Sequence, residues 1–158
     1  NKKKETKEMK KMEILAGKVG SGKSRTLLSK IKKLGEQNKK VFAVDLECNK
    51  EDLIHLEGVD LKAFDSVETI LDYISSEKIE TKNVILVVDN GSINIDSSNI
   101  ASLTELNFEQ TIVTLQLNRL AECDEKSKEK VVKTVSLRWG LEDPDINVDF
   151  IARPPKEI

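Results

Sequence analysis

Short continuous apolar runs alternate along the chain with stretches in which apolar residues recur at helical spacing. Residues 12–16, 40–45, 83–89 and 111–117 are rich in Val, Ile and Leu without strict alternation, the pattern of strands buried on both faces. A poorer run, 59–64, predicts a minor strand. Between these runs, residues 24–34 bring Leu27, Leu28, Ile31 and Leu34 onto one helical face, and a stop signal follows at 35–38. A second helix places Val67, Ile70, Leu71 and Ile74 on one face behind Ser66, a residue type suited to capping a helix N-terminus. Residues 50–56 are poorly patterned. Residues 90–98 read as a polar loop leading to a further helix over 99–106. Residues 131–139 alternate for half their length and, with 148–153, predict a terminal hairpin turned at 140–147. Strands alternating with helices predict an α/β domain: a mainly parallel sheet flanked by helices on both faces, with the antiparallel terminal hairpin at its edge.

Length and charge narrow this picture. A chain of 158 residues buries about 70% of its unfolded surface in one core and is short for two domains, so 12–158 is read as one domain. Residues 1–11 carry six lysines and few apolar groups, a solvated arm or the frayed start of a helix. Basic residues number 26 against 28 acidic, for a net charge of −2, so bulk electrostatics do not mark a nucleic-acid binder and leave room only for a local basic stripe. Cys48 and Cys123 lie far apart with no metal-ligand spacing, which suits a reducing cytosol. His55 stands alone and reads as a surface residue rather than a ligand. The longest apolar run, 84–88, is far short of a membrane span, and the expected location is cytoplasmic.

Candidate chemistry concentrates between the first strand and the first helix. Gly17-Lys18-Val19-Gly20-Ser21-Gly22-Lys23-Ser24 satisfies every position of the phosphate-binding pattern G-x-x-x-x-G-K-[ST], in the strand-to-helix setting that pattern requires. The glycines let backbone amides wrap a polyphosphate at the helix N-terminus, with Arg25 following in the first turn. Lys23 is suited to the β- and γ-phosphates, and the Ser24 hydroxyl to a magnesium ion. ATP and Mg2+ are therefore the expected ligands. Hydrolysis also needs a metal-holding acid and a group that orients water. Asp89 closes the most apolar strand, as a Walker B acid does. Asp45 and Glu47 follow the second strand, where a carboxylate could act as general base; by spacing alone Glu47 is equally an exposed loop acid. Gln116, Asn118 and Arg119 close the fourth long strand, and by spacing alone they are only a polar strand end.

Thr114-Leu-Gln-Leu-Asn-Arg119 resembles the S-Q-L-N-R segment of hexameric replicative DNA helicases of the DnaB class, and Val44-Asp-Leu-Glu-Cys48 resembles their S-L-E-M segment. The motif order matches the RecA-like core of that class over roughly residues 12 to 153. The resemblance implies a RecA-like P-loop ATPase in which Glu47 is the catalytic carboxylate and Gln116 a sensor of the γ-phosphate. It also implies that the segment after Arg119 faces DNA, and that sites are shared in a homo-oligomer or with a related ATPase partner. The chain departs from the class in lacking a lysine-x-arginine pair; Arg138 and Arg153 are the late arginines available as a finger. Two other classes stay open: a DNA-translocation or conjugation ATPase resembling FtsK and HerA, and a nucleotide-dependent switch or assembly module. Lys18 occupies the signature-lysine position of the partition-type switches, but Val19 stands where those carry glycine.

Overall fold

A computed structural model describes residues 12–18, 20–117, 125–141 and 145–158; the arm at 1–11, Val19, Asn118, Arg119 and Cys123 lie outside the described residues. Six strands form one sheet: β1 (Met12–Gly17), β2 (Lys40–Val44), β3 (Asp60–Phe64), β4 (Val84–Val88), β5 (Gln110–Gln116) and β6 (Ile146–Phe150). Their order is β3-β2-β4-β5-β1-β6, and every pairing is parallel. Each connection returns the chain to the same edge of the sheet, so all six C-terminal strand ends share one edge.

The inner strands are buried end to end because both faces are covered. On one face α1 (Lys23–Glu36) sets Leu27 and Ile31 against Leu15, Val41, Ala43, Ile85, Val87 and Ile112. On the other, α2 (Val67–Glu77), α4 (Ile100–Glu105) and α5 (Glu125–Trp139) pack against Met12, Ile14, Phe42, Val44, Leu86 and Val88. Ser66 caps α2 as its position predicts, its hydroxyl accepting from the Thr69 N–H at 3.2 Å. A polar pair fixes the height of α1: Glu13, only 9% exposed within β1, meets Lys30 Nζ at 3.0 Å. A carboxylate buried to that extent requires a cation, which ties the helix behind the phosphate-binding pattern to its own strand.

Three sequence expectations are corrected. Residues 131–139 are the second half of α5, not a strand. The hairpin reading puts residues 135, 137 and 139 on one face, yet Val135 and Trp139 are buried while Leu137 is 81% exposed. Spacing of four therefore wins over spacing of two, supported by the charged helix formers that precede it. Because α5 is a crossover rather than one arm of a hairpin, β6 lies parallel to β1, pairing Ile14 with Val148. The polar loop at 90–98 contains a one-turn helix, α3 (Gly91–Asn94), and residues 52–56 form a 3-10 turn.

The α5 assignment has a direct stability consequence. Trp139→Ala is expected to destabilise the domain by about 3–5 kcal/mol, the usual cost of deleting a buried aromatic, and Leu137→Ala by less than about 0.5 kcal/mol. Urea midpoints at unchanged slope measure both; equal losses at 137 and 139 would restore the strand.

Candidate nucleotide-binding site

The sheet order brings the predicted site residues to one edge. Running across it, Asp45 and Glu47 follow β2, Asp89 follows β4, Thr114 and Gln116 lie at the end of β5, Gly17 ends β1 and Ile151 follows β6. Val44 pairs with Val88, and Gly17 pairs with Gln116, so the strand bearing Gln116 lies directly beside the one that feeds the phosphate loop. One strand separates Asp89 from that loop.

The loop itself is built around two left-handed glycines, Gly20 at φ 79° and Gly22 at φ 98°, conformations costly for any residue with a Cβ. A Cβ on Gly20 would meet nothing within 4 Å, whereas one on Gly22 would run into Pro154, so the loop is open at Gly20 and backed by the chain's last segment at Gly22. Gly22 is the N-cap of α1 and no side chain caps that helix. Its first-turn amides are thus free to serve an anion, with the positive end of the helix dipole behind them. Lys18 is exposed, and its carbonyl accepts from Ser21 N–H at 3.1 Å and Lys23 Nζ at 2.9 Å. Ser21 is buried with its hydroxyl unpartnered among the described residues, so only its backbone faces the loop's concave side. Ser24 is half-buried and Arg25 exposed on the first turn.

Burial pushes the Lys23 ammonium below the ordinary lysine range, and the Asp89 carboxylate opposes that shift. The two side chains therefore feel each other across the intervening strand. Asp89 is 3% exposed and fully engaged. Its Oδ1 accepts from the Thr114 hydroxyl at 2.5 Å and the Asn90 N–H at 3.1 Å, and its Oδ2 from the Glu47 N–H at 3.3 Å. The Thr114 hydroxyl in turn accepts from Asn90 N–H at 2.9 Å. A buried carboxylate oriented by three donors is preorganised for a cation. Magnesium prefers hard oxygen donors and keeps several of its waters, and the Ser24 hydroxyl with the Asp89 carboxylate is a donor set of that kind.

Glu47 and Gln116 are both exposed at the strand edge. Of the two finger arginines, Arg153 lies on the segment beside Gly22, next to Pro154. Arg138 occupies the last turn of α5, from which the chain enters β6 at the opposite edge of the sheet. Sequence reasoning missed Thr114, Asn90 and Asn94. Thr114 had a signal: a hydroxyl inside an otherwise apolar stretch, Ile112 to Leu115, needs a buried partner. Asn90 had a weaker one in the Asn-Gly step, and Asn94 had none.

A phosphate loop joining the first strand to the first helix, with the acid-bearing strand one place removed in a parallel sheet flanked by helices, defines a RecA-like P-loop fold. Among solved structures, the chain is similar to the ATPase domain of a DnaB-class replicative helicase, with a TM-score of 0.50 and 16% identity. The match covers 73% of this chain and 60% of that one, so the chain spans less than two thirds of the domain it resembles. At this identity the likeness establishes the fold. No family model and no curated protein matches the chain. No helix among the described residues is long and apolar enough to cross a membrane.

Proposed function

We propose that this protein binds and hydrolyses ATP with magnesium and works as a DNA-associated, helicase-like motor. The observation that carries the ATPase reading is the convergence of Lys23 and Asp89 on one edge of the sheet, a phosphate-binding cation and a preorganised acid felt through a single intervening strand. In this reading the loop amides and Lys23 bind and orient the polyphosphate. Ser24 and Asp89 would hold the magnesium ion, which when bound neutralises charge developing on the β- and γ-phosphate oxygens. Glu47, exposed on the loop whose backbone is tied to Asp89, accepts a proton from the attacking water. Gln116, opposite Gly17, hydrogen-bonds the γ-phosphate oxygens and loses that partner after cleavage, so β5 can pass the difference to the charged segment at 121–130.

Support for the DNA part is the likeness to the helicase ATPase domain together with the motif order. A steady-state ATPase assay with and without single- and double-stranded DNA, run beside sizing with a nonhydrolysable ATP analogue, tests both parts. Stimulation by single strands is expected. Stimulation by duplex alone would transfer the protein to the FtsK- and HerA-like translocases. Nucleotide-dependent association without any response to DNA would make it a switch module, and absence of hydrolysis under every condition would remove the ATPase reading.

A further inference from the structure

Asp45 stands two residues before Glu47 and adopts a left-handed φ of 55°, and across the β2–β4 edge Asn90 does the same at 56°. Paired strain of this kind persists only where surrounding contacts demand it. Here the contacts converge on one amide. Asn94 Nδ2 lies 3.1 Å from Asp45 Oδ2, 2.9 Å from the Asp89 carbonyl and 3.2 Å from the Asn90 carbonyl. Asn90 Nδ2 adds a fourth contact, 3.3 Å from the same Asp45 oxygen. An amide nitrogen has two hydrogens to divide among three acceptors, and the carboxylate is the only anion of the three, hence the strongest.

The platform that presents Asn94 is rigid. A Cβ on Gly91 would run into Val113, so α3 sits directly on β5, and Asn99 Nδ2 closes its far end on the Asn94 carbonyl at 2.9 Å. By contrast, residues 46–49 belong to no helix or strand. Leu46 packs into the core, and the Glu47 N–H makes one long bond of 3.3 Å to Asp89.

We infer that Asp45 is a positioning residue: its carboxylate, held by Asn94 and Asn90, anchors the loop that carries Glu47 to the turn that carries Asp89. The anchor acts from the side opposite the Glu47–Asp89 bond, so the loop is fixed at two points and Glu47 cannot swing away from the acid beside it. This also assigns Asp45 a task other than that of general base, because one of its oxygens is occupied by two amides. The role in turnover rests on the catalytic reading of Glu47; the anchor itself does not.

Amide hydrogen exchange read by NMR tests the anchor on the protein alone. Asp45→Ala is expected to speed exchange at Glu47 by about tenfold or more, the scale of one lost charge-assisted hydrogen bond, while amides within β1, β4 and β5 stay within about threefold. Asn94→Ala removes the amide, leaves Asp45 in place and must reproduce the effect, which keeps the test decisive if Asp45→Ala does not fold. Asp45→Asn retains an acceptor oxygen and should restore most of the protection. In turnover, Asp45→Ala should slow single-turnover ATP hydrolysis by about tenfold and change ATP affinity by less than about threefold. Unchanged exchange at Glu47, or acceleration spread evenly over the sheet, would overturn the anchor. A parent protein that hydrolyses no ATP counts against the catalytic reading of Glu47, while the exchange result still decides the anchor.

Discussion

Replacing Lys23 by alanine is expected to weaken ATP–magnesium binding by about 100-fold, or about 2.7 kcal/mol, while leaving the domain folded. The loop amides and the α1 N-terminus remain, but the one cation placed for the β- and γ-phosphates is gone. In the parent, ATP exchanges the Lys23–Lys18 carbonyl bond of 2.9 Å for charge-assisted bonds to phosphate, a stronger class of contact. The same residue predicts a pH dependence. Burial lowers the Lys23 pKa in the protein alone, and phosphate beside the ammonium raises it again. A group whose pKa rises on binding contributes affinity that is fully present below the lower pKa and lost as pH rises through the higher one. ATP affinity should therefore decline on the alkaline side, beginning below the ordinary lysine range, and Lys23→Ala should lose that dependence. Nucleotide titrations across the alkaline range measure both effects, and unchanged affinity in folded Lys23→Ala would remove the core of the functional reading.

The second large effect separates binding from turnover. Glu47→Gln should keep ATP affinity within about threefold and slow hydrolysis by roughly 100-fold or more, the scale of a lost general base. Asp89→Asn should act differently, because Asp89 touches Thr114, Asn90 and the Glu47 backbone at once. Its loss of charge should raise the magnesium concentration needed for half-maximal activity and also cost stability. Titrating magnesium against activity, beside thermal melts, distinguishes the two carboxylates. Parent-like hydrolysis by Glu47→Gln would show that the water is oriented by some other group.

Several elements are legible in the sequence because their signals are local. A phosphate loop needs glycines at φ values other residues resist, and Gly20 and Gly22 occupy such values where the pattern puts them. Buried parallel strands need apolar side chains on both faces, so the runs at 12–16, 40–45, 83–89 and 111–117 correspond to β1, β2, β4 and β5. Ser66 announces the start of α2 through the chemistry of its own hydroxyl.

What the local pattern leaves ambiguous is decided by burial. Val131, Val135, Leu137 and Trp139 fit both a strand and a helix, and only the packing of Trp139 into the core with Leu137 left in solvent selects the helix. That one choice turns an antiparallel hairpin into a crossover and sets β6 parallel to β1. The site shows the same division. The residue types at Lys23, Ser24, Asp89, Glu47 and Gln116 point to phosphate and metal chemistry from sequence and resemblance. Their neighbours Thr114, Asn90, Asn94 and Pro154 come from other strand ends and from the last residues of the chain, far from the loop in sequence. Contacts between residues so far apart carry no sequence periodicity; strand order alone, through the pairing of β2 with β4 and of β5 with β1, brings them within hydrogen-bonding reach.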